Sequence, residues 1–442
     1  MNISKMISYF YLIFSVFIFL FIFYRSEIQY SNYFFGYYVK YYLISILLIS
    51  LSILSFFINE NLKFQITITI FLILFGLYIW EGYLIKNYGN KIKQSFLTDE
   101  KIRIYKENTG KEYDTRSKIK AYRDLKKNDI NAAIATYPSV WINDKNKDIF
   151  PLAGKAHSQT LDCNENGYYS IYQSDRFGFN NTDDNWEKDV IEYLLIGDSF
   201  VHGQCVNEEN TISGKLKSLK KNNNGVLNLG YSSSSILVQY ATVKEYFPET
   251  KVKNILYFFH EGNDLKGLTT ELNDEILIKY LDQPDFKQNL IKKQNKINKI
   301  IKSKIITSQN QDKDQFNLIK FIKLTNFREI YINNFFYQPN LKKFTEILKL
   351  IKKLSDEKNS KLYFVYVPEY YRYIGIKSER LHQRNKIIKI AKNLDIAIID
   401  LHQNILEKMQ DPLKLYPFRK FAHFNEFGYD FVSKIIYEKL SN

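Results

Sequence analysis

The stretch Tyr193-Leu194-Leu195-Ile196-Gly197-Asp198-Ser199-Phe200 sets a run of apolar residues directly before a Gly-Asp-Ser turn. An apolar run without alternation reads as a strand buried on both faces, so the turn presents a serine at the strand's carboxyl end. A hydroxyl is a weak nucleophile until a base takes its proton and donors hold the oxyanion. Residue types suited to both tasks follow downstream. A second buried-strand pattern, Ile255-Leu256-Tyr257-Phe258-Phe259, runs into Gly262-Asn263-Asp264, and Ala422-His423-Phe424-Asn425-Glu426-Phe427-Gly428 stands near the C-terminus. Gly-Asp-Ser alone is also ordinary helix-cap chemistry, so the reading rests on the order of all these blocks.

Strand patterns at 193–196, 226–229, 255–260, 362–367 and 396–399 alternate with helical stretches, which predicts a parallel sheet covered on both sides. Ligands of such sheets bind beyond the carboxyl ends of the strands, where Ser199 and Asn263 both fall. Residues 266–357 exceed a simple crossover and read as an inserted helical subdomain near the site, a candidate lid or partner surface. Tyr366-Val367-Pro368-Glu369-Tyr370-Tyr371 ends the fourth strand and offers either aromatic walls for a sugar or acyl chain or plain packing.

Over residues 190–440 these blocks resemble the SGNH (GDSL-type) hydrolase family. The resemblance implies a three-layer, flavodoxin-like α/β SGNH hydrolase domain with a parallel sheet. From Gly197-Asp198-Ser199-Phe200-Val201-His202-Gly203 it carries to Ser199 the roles of nucleophile and, through its amide, oxyanion donor. In Asn228-Leu229-Gly230-Tyr231-Ser232-Ser233 the family's last glycine is Ser233, whose N–H still serves as a donor if the backbone there is not one that only glycine tolerates. Glu261-Gly262-Asn263-Asp264 stands for the family's Gly-x-Asn-Asp and makes Asn263 the side-chain oxyanion donor, with Asp198, Gly230 and Asp264 in support. The family's Asp-x-x-His is here Lys420-Phe421-Ala422-His423, so the acid that orients the histidine is missing from its position. A Ser199–His423 dyad is therefore expected, with the second ring nitrogen held by a backbone carbonyl or by one of Glu261, Asp411 and Glu426, among which the sequence does not choose. His157, His202, His260, His382 and His402 show no metal-ligand spacing, and neither a metal nor a cofactor is expected.

The chain has 442 residues, and its N-terminal part carries three long apolar segments, 7–24, 41–58 and 66–85, with Glu81 the one charge inside them. Each approaches the length that crosses hydrocarbon, so residues 1–86 read as a membrane anchor of three transmembrane helices. A cleaved signal peptide is the rival for the first, but bulky, charged Tyr24-Arg25-Ser26-Glu27 follows it in place of small residues. Tyr30, Tyr33, Phe34, Phe35, Tyr37 and Tyr38 suit an interfacial loop. Residues 87–149 are polar and helical, a stalk capped around Asp114-Thr115-Arg116-Ser117, and 150–442 form the SGNH-like domain.

Sidedness has two conflicting signals. Arg25, Lys40, Lys86, Lys91 and Lys93 outweigh Lys5 and Lys63, which favours a cytoplasmic domain. Cys163 and Cys205 point the other way, because they meet as one disulfide if the segment before the first strand folds over the site; two unrelated thiols are the alternative. Since the resemblance places ester chemistry on envelope glycans, an inner-membrane protein with a periplasmic domain is expected. The net charge of +15 is spread over mixed-charge helices without a base-reading module, which excludes nucleic acid as partner and suits anionic lipid or acidic glycan.

The function so implied is that of a membrane-anchored serine esterase or O-acyltransferase on acyl esters of envelope polysaccharide or glycolipid. Three spans are too few to carry acyl groups across a membrane, so a transferase calls for a separate membrane acyl-donor protein. The alternative is an inactive SGNH-fold protein for glycan binding or assembly, for which Lys420 and Ser233 in the family's key positions argue.

Overall fold

The computed structural model describes residues 2–29, 35–95, 99–142, 144, 147–309, 318–328, 339–375 and 381–441. They divide into two compact units: Met1–Ile92 with Gln315–Gln338, and Lys93–Asp314 with Pro339–Asn442.

The first unit contains α1 (Ile3–Phe23), α2 (Phe35–Leu54) and α3 (Glu60–Ser95). Among the described residues three stretches, Ile3–Ile28, Tyr38–Phe57 and Glu60–Lys86, are long and apolar enough to cross a membrane. Lipid tails are as apolar as leucine, so helices there associate through small and polar side chains rather than by apolar burial. Serines do this here. Ser4, Ser8 and Ser15 of α1 are buried; Ser8 Oγ donates to the Ser55 carbonyl at 3.2 Å, and Ser15 and Ser52 hydroxyls lie 3.1 Å apart. Of the expected aromatic loop, Tyr30, Tyr33 and Phe34 lie outside the described residues, while Phe35, Tyr37 and Tyr38 open α2.

The second unit carries a small sheet of β1 (Ala133–Ile134), β2 (Gln159–Leu161) and β3 (Ile171–Gln173), then the main sheet. The latter comprises β4 (Val190–Ile196), β5 (Gly225–Asn228), β6 (Lys251–His260), β7 (Lys361–Val367) and β8 (Ala397–Asp400). All its pairings are parallel, in the order β5-β4-β6-β7-β8. Side chains alternate between its faces. On one, Leu195, Leu256, Phe258 and Val365 form a core with Ile212, Leu216, Leu401, Ile405, Tyr429 and Val432 of three helices. On the other, Phe259 meets Phe344 with ring centres 5.3 Å apart. Phe344 belongs to the helix Leu341–Glu357, which buries Phe344, Ile347, Leu348 and Ile351 at helical spacing. This is the three-layer α/β architecture that the strand patterns predict.

Two boundaries differ from the sequence reading. The stretch 87–149 is no separate stalk, because from Lys93 it belongs to the second unit, where the helix Lys118–Asn128, capped by Ser117, buries Ala121 and Tyr122. The insertion 266–357 is not one subdomain either: Gln315–Gln338 belongs to the membrane unit, and Leu341–Glu357 is the crossover helix that leads into β7.

Candidate active site

The sheet order reverses at β4, whose chain successor β5 lies on one side of it and β6 on the other. A crevice opens beyond the strand ends at such a switch point. Ser199 follows the end of β4 and Asn263 the end of β6. Asp198 caps the short helix Ser199–His202 by accepting the Phe200 N–H at 3.0 Å. Gly230, after β5, approaches this turn so closely that a Cβ there would stand 2.5 Å from Val201 Cβ.

His423 lies on the loop before the C-terminal helix Glu426–Ser441. Asn425 caps that helix by accepting the Gly428 N–H at 2.7 Å and donates from its own amide to the Lys414 carbonyl at 2.9 Å. A Cβ on Gly428 would stand 2.4 Å from the Leu415 carbonyl oxygen, so the loop seats only with glycine there. The imidazole is thereby aimed at the nucleophile turn. His423 Nε2 lies 2.8 Å from Ser199 Oγ, and the Phe200 ring packs against the imidazole with centres 5.1 Å apart.

Nδ1 of His423 lies 3.0 Å from Glu165 Oε2, which also accepts the His423 backbone N–H at 2.8 Å. The expected dyad with a backbone carbonyl or a nearby acid is thus corrected to a line of three side chains. None of the three acids considered reaches the ring. Glu261 is buried against Arg372 and accepts the Glu369 N–H, Asp411 pairs with Arg419 at 2.5 Å, and Glu426 accepts from Tyr168 at 2.6 Å. Lys420, in the family's acid position, pairs with Glu100 at 2.8 Å.

Glu165 comes from upstream of the whole sheet, so something must hold it. A disulfide joins Cys163 to Cys205, just past the nucleophile helix. The Cys205 N–H donates to Asp162 at 3.1 Å, and Asn166 Nδ2 donates to the Cys205 carbonyl at 3.0 Å. Three successive ties therefore bind the 162–166 segment to the loop after Ser199. The ligand atoms of Glu165, Cys205 and His423 lie within 4.8 Å of one another, but the disulfide occupies the Cys205 sulfur and leaves no thiolate for a metal.

On the oxyanion side, Asn263 Nδ2 donates to Asp198 Oδ2 at 3.0 Å, and its Oδ1 lies 3.0 Å from His260 Nδ1. His260, unassigned from sequence, thus fixes which way the amide faces. An NH₂ group has a second hydrogen, which remains for an oxyanion. Asp264 accepts the His260 N–H at 2.7 Å; burial, followed by the charge of Asp198, pushes its carboxyl well up. Ser233 is exposed at φ +60°, the left-handed region, which costs a residue with a Cβ on the order of 1–2 kcal/mol. Ser233 therefore holds a conformation that favours glycine, and holds it with strain. Glu271 steadies the helix that follows by accepting N–H groups of Ser235, Leu237 and Val238, and burial pushes its carboxyl up to about 7.

Burial disfavours the charged form of His423, yet the charge and hydrogen bond of Glu165 outweigh it, and the ring's pKa rises above the usual histidine value. Burial likewise works against the Glu165 carboxylate, and His423 outweighs it and lowers that pKa. The pair can hold the proton that Nε2 takes from Ser199.

No protein-family profile matches the chain, and no curated protein matches it. Among solved structures it is similar to the acetyl xylan esterase AlAXEase, at 13% identity over 56% of this chain and 99% of that one, TM-score 0.33. It is also similar to a member of the lipolytic protein G-D-S-L family from Veillonella parvula, at 12% identity over 57% and 99%, TM-score 0.32. A lipase/acylhydrolase from Enterococcus faecalis gives 13% identity over 57% and 95%, TM-score 0.31. Likenesses this distant carry no argument. What the chain itself shows is a five-stranded parallel sheet in the order β5-β4-β6-β7-β8 with Ser199 and His423 meeting beyond the carboxyl ends of its strands.

Proposed function

We propose that the chain is a membrane-anchored SGNH-type serine esterase or O-acyltransferase acting on acyl esters of envelope polysaccharide or glycolipid, with its second unit outside the cytoplasm. The observation that carries the reading is the unbroken line from Glu165 through His423 to Ser199. Ser199 Oγ attacks the acyl carbonyl while His423 Nε2 takes its proton, and Glu165 holds Nδ1–H and balances the imidazolium. The amides of Ser199 and Ser233, with Asn263 Nδ2, hold the oxyanion. Collapse of the tetrahedral intermediate returns the proton to the departing alcohol oxygen and leaves an acyl-enzyme. Water or a sugar hydroxyl then gives its proton to His423, takes the acyl group and frees Ser199. Disulfides persist in oxidising compartments, so the Cys163–Cys205 bond supports the extracytoplasmic side.

Turnover of p-nitrophenyl acetate by the purified protein, with and without a sugar acceptor, tests this. Release of p-nitrophenolate that disappears in Ser199→Ala supports the esterase, and acyl-sugar formed at the expense of acetate supports the transferase. A parent protein without turnover on any acyl ester would favour a glycan-binding role instead.

A further inference from the structure

Glu81 is the one charged residue inside the third apolar segment, and it is fully buried. An ionisable side chain within a span is expensive unless it is paired, so its partners carry information. They come from far along the chain. Glu81 Oε1 accepts the Asn326 N–H and the Asn326 side-chain amide at 2.9 Å each, and Oε2 accepts the Phe327 N–H at 2.8 Å. One turn earlier on α3, the Tyr78 hydroxyl donates to the Ile322 carbonyl at 3.1 Å and its ring packs on Phe321, centres 5.4 Å apart. Leu318–Ile322 and Thr325–Phe327 are helical, and this segment lies in the same compact unit as the three membrane helices.

The depth of the contact follows from the sequence. Glu81 precedes Lys86, the last residue of the span, by five residues (86 minus 81), which at ~1.5 Å rise per residue is roughly 7–8 Å of helix. That matches the ~5–10 Å to which interfacial helices sink. At this level Trp80 and Tyr83 stack at 5.2 Å and are exposed, as aromatics at a membrane–water boundary are. The segment itself exposes Leu318 and Ile322, at 58% and 57%, beside exposed Lys320, Lys323 and Arg328. Exposed apolar side chains are thus found on this segment as on α3, and its cations suit anionic headgroups.

We propose that residues 318–328 form an interfacial membrane segment, pinned to α3 by Glu81 and seated among phospholipids, with acyl chains against Leu318 and Ile322 and anionic headgroups against the basic side chains. The polypeptide then returns to the bilayer between the two stretches of sequence, Lys93–Asp314 and Pro339–Asn442, that make up the second unit. This does not depend on the esterase reading.

The test uses the full-length protein in lipid nanodiscs containing anionic phospholipid. Both native cysteines are in the disulfide, so a single introduced cysteine can take a fluorophore. Labels at Leu318→Cys and Ile322→Cys are compared with Leu72→Cys on the exposed face of α3 and Leu406→Cys on the second unit, using quenching by acyl-chain nitroxide lipids. Quenching at 318 and 322 about threefold or more above that at 406, approaching that at 72, is expected for side chains at acyl depth. Quenching no greater than at 406 overturns the proposal. A cross-link between two Ile322→Cys chains without quenching also overturns it, assigning the patch to a second copy. In Glu81→Ala the signal at 322 should fall to that at 406 while 72 holds; if that variant does not fold, the labels in the parent chain decide alone.

Discussion

Glu165 is the residue on which the proposed chemistry turns, and it lies far from where the sequence directs attention. Neutralising a triad carboxylate while keeping its shape costs ~10⁴ in rate, so Glu165→Gln should lose about that much turnover while Glu261→Gln, Asp411→Asn and Glu426→Gln each lose far less. Steady-state assays of the four variants check this. The pH profile supplies a second reading. Since Glu165 raises the His423 pKa, the neutral base forms only above the usual histidine value, and the acid limb of kcat/KM should shift to lower pH in Glu165→Gln. The stability linkage has the opposite sense: the raised pKa contributes fully below the unfolded value near ~6.5 and is lost as pH rises through the folded one. Ser199, Asn263 and His423 are legible because each sits in a block of fixed spacing at a strand or helix end. Glu165 sits in no such block. Its signal was indirect, two residues from Cys163, in a segment that a disulfide to Cys205 brings over the site. Glu261, beside Asn263 in sequence, and Asp411 and Glu426, on either side of His423, are the acids that the sequence offers, and they are held by Arg372, Arg419 and Tyr168.

At the scale of elements, continuous apolar runs locate every strand of the main sheet, because parallel strands buried on both faces leave no polar alternation to confuse them. The loops between them are less legible, since their conformation depends on distant partners such as the Asn166 and Asp162 ties. The disulfide closes a loop between positions separated by 42 residues, which in the chain-entropy model contributes about 4 kcal/mol. Removing both cysteines by Cys163→Ala with Cys205→Ala should therefore lower the denaturation midpoint. Turnover should fall too, though by less than in Glu165→Gln, because the hydrogen bonds of Asp162 and Asn166 remain to place the acid. Unchanged turnover in a folded double variant would deny the disulfide any part in positioning Glu165. Lys420→Asp is a complementary probe. Nδ1 of His423 is already occupied and Lys420 faces Glu100, so restoring the family's acid should give no gain in rate.

At the scale of the molecule, the two units differ in what their sequences disclose. Three apolar segments announce the membrane helices, whereas the return of residues 318–328 to α3 is hidden, since alternating Lys and apolar residues there read like any amphipathic crossover. Only the fully buried Glu81 hints that a span needs a partner. With the second unit outside the cytoplasm, a C-terminal reporter active only in an oxidising compartment should light up, and thiol labelling of unreduced protein should find neither cysteine; activity of a cytoplasmic reporter would contradict that sidedness. The proposed chemistry itself is reached most directly by fluorophosphonate labelling of the full-length protein, read by mass spectrometry across pH. The account predicts one adduct on Ser199, formed faster as His423 loses its proton, absent in Ser199→Ala and slowed by orders of magnitude in Glu165→Gln; an unlabelled parent, or an adduct that survives Ser199→Ala, would contradict it.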